Sequence, residues 1–394
     1  MRPLSDWDDW ISSRLDRLER EALLRALRPG ERLDARSVER NGRRLVNFSS
    51  NDYLGLSQHP ALLAASQRDL QKGTGATASR LMAGNDYDYA ALEAAVAYFK
   101  STEAALVFGS GYLANVGTIA ALAGREDAVF SDRLNHASIV DGIRLSGARH
   151  VRYRHNDLDD LARMLEEEAG ARRKLIVTET LFGMEGDLAP LEGIVELKHR
   201  HGAALMIDEA HATGVVGPQG RGLAHQLGVA AEVEVSMGTF SKAFGLYGGY
   251  VATRQSWARY LVNAARTFVF TTALPPSVIG GAGAAIEMVF AGDHLRERLQ
   301  HLIQRFRGGL RELGLWSGPP SQIQPVIVGG SEEAVLAARR LEELGVLAVP
   351  VRPPTVPQGT ARLRFSLCAS HTDDDIDLAL EGLGRVTKDL IRAG

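Results

Sequence analysis

Between about residue 85 and residue 290 the chain alternates short, continuously apolar runs with stretches whose apolar residues recur every three or four positions. The runs at 104–108, 128–131, 174–178, 204–207, 233–237 and 249–253 have the length and apolar content of buried strands. Residues 157–169 and 191–201 carry the helical period between them. Strands without polar alternation, separated by helices, predict a mostly parallel sheet covered on both faces, and so an α/β fold. Ahead of this region Trp7, Ile11, Leu15, Leu18 and Ala22 repeat at helical spacing, which predicts a helix over 5–28 closed by Pro29-Gly30. A strand-like RLVNFSS follows it. Beyond Pro275-Pro276 a long helical pattern reaches about Leu313. A smaller α+β part then contains IQPVIVG, a helix over 332–344, GVLAVPVRPP and ARLRFSLCAS, and a last helix begins near Thr372. The expected organisation is an N-terminal segment over 1–50, a large α/β domain over 51–290 and a small α+β domain over 291–394.

Composition narrows the class of function. The 394 residues are 45% hydrophobic and 24% charged, as in ordinary globular proteins. No apolar run approaches the ~20 residues that cross a bilayer. MRPLSDWDDW is acidic and tryptophan-rich where a secretory leader would be basic and then apolar, so the expected location is the cytoplasm. A net charge of −3 argues against nucleic acid as a partner. The one cysteine, Cys368, excludes an internal disulfide, and its setting in FSLCAS predicts a core residue. The eleven histidines show no metal-ligand spacing, and no metal is expected.

Four segments carry candidate chemistry. In ALMIDEAH an apolar strand delivers Asp208 at its C-terminal end, where open α/β sheets bind ligands, with His211 three residues on. An acid so placed can hold the ring nitrogen of pyridoxal phosphate protonated, or it can simply cap a helix. In VEVSMGTFSKAFG a strand leads to Lys242, set among Phe240, Ala243 and Phe244 beside Thr239 and Ser241. A lysine desolvated by such neighbours loses proton affinity and becomes an amine nucleophile. In VFGSGYLAN a strand runs through a glycine turn into a helix, which makes Ser110, Gly111 and Tyr112 a candidate phosphate grip. In SDRLNHAS, His136 follows a strand and could be a base, a stacking partner for a flat ring or a helix-start residue. Gly73-Thr-Gly-Ala-Thr-Ala78 matches a dinucleotide pattern, but it follows a helical stretch where that motif needs a strand.

Taken in order, IDEAHATGVVGPQGRG and TFSKAFGLYGG resemble the α-oxoamine synthase family of fold-type I pyridoxal-phosphate enzymes. NFSSNDYLGL, GATASRLMAGN, FGSGYLAN, DRLNHAS and RPPTVPQGTARLRFSLCASHT extend the resemblance from about residue 10 to 390. It implies an acyltransferase with pyridoxal 5'-phosphate joined as a Schiff base to Lys242. Asp208 then pairs with the ring nitrogen, His211 contacts the phenolic oxygen, His136 stacks on the ring, and Gly111, Tyr112 and Thr239 hold the phosphate. Thr271 and Thr272 would reach the phosphate of a second subunit, which implies a homodimer with shared sites. Arg25, Asn51, His136 and Thr355 match substrate positions, with Arg364 for the amino-acid carboxylate and Arg352 for a second acid or the nearby turn. Arg362, two residues from Arg364, shares its strand face. Arg352-Pro-Pro-Thr-Val-Pro357 resembles the biotin-pathway branch, whose substrates are L-alanine and pimeloyl-CoA or a pimeloyl carrier protein. The alternative is another branch that uses glycine or serine with a different acyl-CoA. One departure stands out. The biotin-pathway enzymes commonly have a serine, in contact with the cofactor, where this chain has Gly183. The missing hydrogen bond is worth only ~0.5–1.5 kcal/mol.

Overall fold

A computed structural model of the chain describes residues 5–316 and 318–393. The chain forms two compact units. One comprises Asn51–Gly183 and Asp187–Arg298; the other joins the residues up to Ser50 with Met184–Gly186 and those from Leu299 onward.

The first unit is built on seven strands: β1 (Ala104–Phe108), β2 (Ala128–Asp132), β3 (Arg149–Tyr153), β4 (Lys174–Glu179), β5 (Ala204–Asp208), β6 (Val235–Thr239) and β7 (Gly249–Thr253). Their order across the sheet is β1-β7-β6-β5-β4-β2-β3. Only β7 runs against its neighbours; the other pairings are parallel. Alternate residues face opposite sides, so Leu175, Val177, Met206 and Met237 enter one core while Ile176, Leu205 and Ile207 enter the other. Covering both faces is what makes these strands apolar throughout. β3 lacks that signal. Its sequence, RHVRY, lies at the sheet edge and is partly exposed, so arginine and histidine are tolerated there.

The second unit explains two departures from the sequence reading. The N-terminal segment is not set apart: Arg43–Asn47 pairs in parallel with Val346–Leu347, and Arg28 grips Glu342 through two bonds of 2.6 Å. The helix expected over 5–28 is α1 (Ser5–Arg20) only. Ala22 turns left-handed at φ 52°, and the Arg352 guanidinium takes the carbonyls of Ala22 and Leu24. An arginine 330 residues away thus replaces the next helical turn. The long helical pattern after Pro275 likewise divides into Pro276–Phe290 and Asp293–Glu312. Cys368 is buried, as its setting suggested.

Two polar clusters brace the strand ends of the first unit. Lys100 and Glu209 form an ion pair buried from solvent, closed by the Arg221 carbonyl and the Ser236 hydroxyl. Removing one member of such a pair costs about 3–5 kcal/mol, because the other charge stays behind. His155 bridges Asp132 at 3.0 Å and Asp187 at 2.9 Å. Burial alone would lower this imidazole, but its hydrogen bonds to Asp132 and Asp187 outweigh burial and push it up to about 10. A histidine raised above its unfolded value of ~6.5 contributes fully below that pH, and the contribution fades as pH rises through the folded value. The stability lost by His155→Gln should therefore be largest near pH 6 and shrink toward pH 10. Urea melts of both proteins across this range check it; a gap that grows with pH would contradict it.

Candidate active site

The C-terminal ends of β5, β4 and β6 lie side by side, with Asp208 opposite Glu179 on one flank and Met237 on the other. Asp208 is 5% exposed. One of its oxygens accepts the Asn115 amide at 2.8 Å and the other the Ala210 N–H at 2.9 Å. Asn115 projects from α2 (Gly111–Leu122) and gives a second bond to Ser138 at 2.9 Å. A buried carboxylate whose oxygens both meet N–H donors suits a cationic partner.

Lys242 follows β6 on a turn whose Gly245 N–H returns to the Lys242 carbonyl at 2.8 Å. Phe240, Ala243 and Phe244 around it are buried, as the sequence implied. Its ammonium and the Asp208 carboxylate both act electrostatically on His136 and on Glu179, which places these four groups in one site. His136 starts α3 (Ala137–Ser146), and its Nδ1 meets the Ser138 hydroxyl at 2.8 Å, fixing the ring. Burial lowers its proton affinity, Asp208 opposes this and Lys242 adds to it, so the imidazole is held toward its neutral form.

The phosphate candidates also meet. Ser110 caps α2 by accepting the Leu113 N–H at 3.2 Å. A Cβ on Gly249 would lie 2.5 Å from the Gly111 nitrogen, so glycine there lets the helix start press against β7. A Cβ on Gly111 would stand 3.4 Å from that of Thr239, whose hydroxyl bonds Ser241 and the Gly248 carbonyl at 2.7 Å each. Tyr112 is half-exposed and bonds Asp141 through its hydroxyl, with its ring edge-on to His136. Thr272 bridges to Ser79, and no hydrogen bond among the described residues joins Thr271 or Thr272 to Ser110, Gly111 or Thr239.

His211 is 8% exposed, and its Nδ1 lies 2.6 Å from the Tyr53 hydroxyl, which in turn reaches Asn51 at 3.1 Å. This links Asn51 to the site through a residue that the sequence reading passed over. Glu179 and Asn115 were passed over too. The rule that selected Asp208, an acid ending an apolar strand, applies equally to Glu179 in LIVTE.

The remaining candidates belong to the second unit. Arg25 donates to the Thr355 hydroxyl at 3.0 Å. Arg352 holds the Ala22 and Leu24 carbonyls, and burial followed by the Arg25 charge keeps it below its usual range. On the strand Ala361–Ser366, Arg362 pairs with Glu185 at 3.1 Å, and Arg364, 8% exposed, donates to Ser366 at 2.6 Å. Arg362 is thus committed to a carboxylate of the chain itself. Among the described residues, no cluster of three or more potential metal ligands is present and no helix is long and apolar enough to cross a membrane.

The model of the class I and II aminotransferases matches residues 43–383. The 8-amino-7-oxononanoate synthase of Geobacter sulfurreducens is 49% identical over 96% of this chain and 98% of its own. A protein described as a putative 8-amino-7-oxononanoate synthase in Geobacillus kaustophilus is also 49% identical, over 94% and 96%. The chain belongs to this family. Among solved structures, serine palmitoyltransferase from S. paucimobilis with bound PLP has TM-score 0.92 at 31% identity, covering 98% of this chain and 99% of that one. The 8-amino-7-oxononanoate synthase of Francisella tularensis has TM-score 0.77 at 29% identity, covering 88% and 99%. The fold is that of fold-type I transferases, and the cofactor is pyridoxal 5'-phosphate.

The residues present fit that group. Asp208 is a donor-held carboxylate suited to a protonated ring nitrogen, the start of α2 offers backbone N–H donors suited to a phosphate beside Thr239, and Lys242 supplies an amine. Lys242→Ala should leave the fold intact and abolish both the visible absorbance of the loaded enzyme and turnover. A variant that kept the absorbance would place the attachment on another residue.

Proposed function

We propose that this enzyme condenses L-alanine with a pimeloyl thioester, on coenzyme A or a carrier protein, in biotin synthesis. A carbon–carbon bond forms between the alanine Cα and the thioester carbonyl carbon, the carbon–sulfur bond breaks, and the alanine carboxylate leaves as carbon dioxide. The observation that carries this reading is the grouping of Lys242, Asp208 and His136 at the sheet's C-terminal edge, in a chain 49% identical to an 8-amino-7-oxononanoate synthase.

Bound pyridoxal phosphate supplies a sink for the negative charge that develops at the alanine Cα. Asp208, gripped by Asn115 and the Ala210 N–H, would hold the proton on the ring nitrogen. Lys242 would hold the cofactor, and its amine in the neutral form would take the proton from the alanine Cα. His136, fixed by Ser138, would lie against the cofactor ring, and His211, fixed by Tyr53, would donate to its phenolic oxygen. Gly111, Tyr112 and Thr239 orient the phosphate at the start of α2. Arg364 takes the alanine carboxylate in a fork that sets the Cα–H bond for removal. Asn51 contacts the substrate beside His211, while Arg25 and Thr355 receive the pimeloyl acid and Arg352 holds the nearby turn at Ala22 and Leu24.

The working form in this reading is a cytoplasmic homodimer, in which Thr271 and Thr272 reach the other subunit's phosphate. The apolar stripe of α1 supports it: Trp7, Trp10, Ile11 and Leu15 are between 45% and 68% exposed, more than a lone helix face tolerates in water.

The substrate is tested by pairing alanine, glycine and serine with pimeloyl-CoA and palmitoyl-CoA and measuring carbon dioxide and free thiol. Alanine with pimeloyl-CoA should exceed every other pair by about a hundredfold or more in kcat/KM. Preference for serine with palmitoyl-CoA would assign the chain to the branch of its structural neighbours.

A further inference from the structure

We propose that Glu179 is a positioning residue that fixes both imidazoles of the site, His136 through one carboxylate oxygen and His211 through the other by way of Gly183. This rests on the reading of the site as a pyridoxal-phosphate centre and concerns how the chain shapes it.

Glu179 ends β4 directly beside Asp208 and is 4% exposed. Its Oε1 accepts the His136 N–H at 2.7 Å and its Oε2 the Gly183 N–H at 3.3 Å. The first arm is closed by a reciprocal latch. The Asn135 side chain accepts the Glu179 N–H at 3.0 Å and donates to the Val177 carbonyl at 2.8 Å, so the turn before His136 is pinned to β4 from both sides.

The second arm works by contact. A Cβ on Gly183 would lie 2.4 Å from His211 Nε2, so the imidazole rests against bare backbone that no side chain at 183 would leave open. On its other side the ring is held by Tyr53 at 2.6 Å. The backbone that Glu179 pulls in through Gly183 is therefore the wall of the His211 slot. The serine expected at this position from the family resemblance would push the ring away; in this chain the glycine and the carboxylate behind it define a different seat for His211.

Two N–H groups aimed at two oxygens need two acceptors. Glutamine offers one, and its NH2 would face an N–H, so Glu179→Gln cuts an arm while preserving shape. The groups facing the carboxylate are Asp208 on β5, Lys242 after β6, His136 after β2 and, across Gly183, His211. Burial and then Asp208 push the acid up to about 8, with Lys242 opposing. Protonation of Glu179 would turn one accepting oxygen into a donor and weaken one of the two arms.

The test compares loaded wild type, Glu179→Gln, Gly183→Ala and Asn135→Ala by melting temperature, pyridoxal-phosphate affinity, pH titration of the bound-cofactor absorbance, and kcat and KM for alanine. Glu179→Gln should stay folded and loaded, shift the midpoint of the absorbance titration, and lose about tenfold or more in kcat with little change in KM. Gly183→Ala should shift the same midpoint without touching Glu179. A loaded Glu179→Gln with wild-type titration and kcat overturns the proposal. If that variant fails to fold, Asn135→Ala, which loosens only the His136 arm, decides in the same way. Wild type that neither binds the cofactor nor turns over alanine would instead sink the functional reading, and the two failures are thus distinct.

Discussion

A carboxylate fixed by donors at the end of a buried strand is the constraint on which the rest depends. Asp208 has water on almost no side, yet two N–H donors satisfy its oxygens. The next residue, Glu209, points into the interior and meets Lys100. One strand end therefore carries two acids with opposite tasks, one anchoring the sheet and the other facing a ligand. In a low-dielectric setting a buried acid costs least with its donors in place. Asn115, Ser138 and His136 form a chain of bonds outward from it, so the geometry of the His136 imidazole is tied to the same carboxylate.

Parallel topology makes that arrangement possible. Four neighbouring strands deliver their C-terminal ends to one edge, so Asp132, Glu179, Asp208 and Thr239 arrive together from segments far apart in the chain. Each acid is then managed differently. Asp132 is shared with His155, Glu179 with two backbone N–H groups, and Asp208 with a side-chain amide. The second unit gathers its arginines by the same economy: Arg362 is committed to Glu185 and Arg352 to backbone carbonyls, which separates their tasks from that of Arg364.

Legibility in the sequence followed burial. Strands covered on both faces were plain as apolar runs, and the residues just beyond them, Asp208 and Lys242, stood out because charge there is conspicuous. β3 was invisible because an edge strand can be polar. The end of α1 was misjudged because Arg352, 330 residues distant, supplies a competing donor for the carbonyl that the next helical turn would use. Glu179, Asn115 and Tyr53 act through partners that only the fold brings near, though the strand-end rule covers Glu179. At Gly183 the sequence showed a missing hydroxyl, whereas the structure shows an occupied space, filled by His211.

The most direct measurement is reduction of the loaded enzyme with borohydride followed by peptide mapping. A pyridoxyl group on Lys242, in the peptide that contains TFSKAFG, is the expected result. The same label on any other lysine, or none on a protein that binds the cofactor, would contradict the placement of the reactive amine beside Asp208.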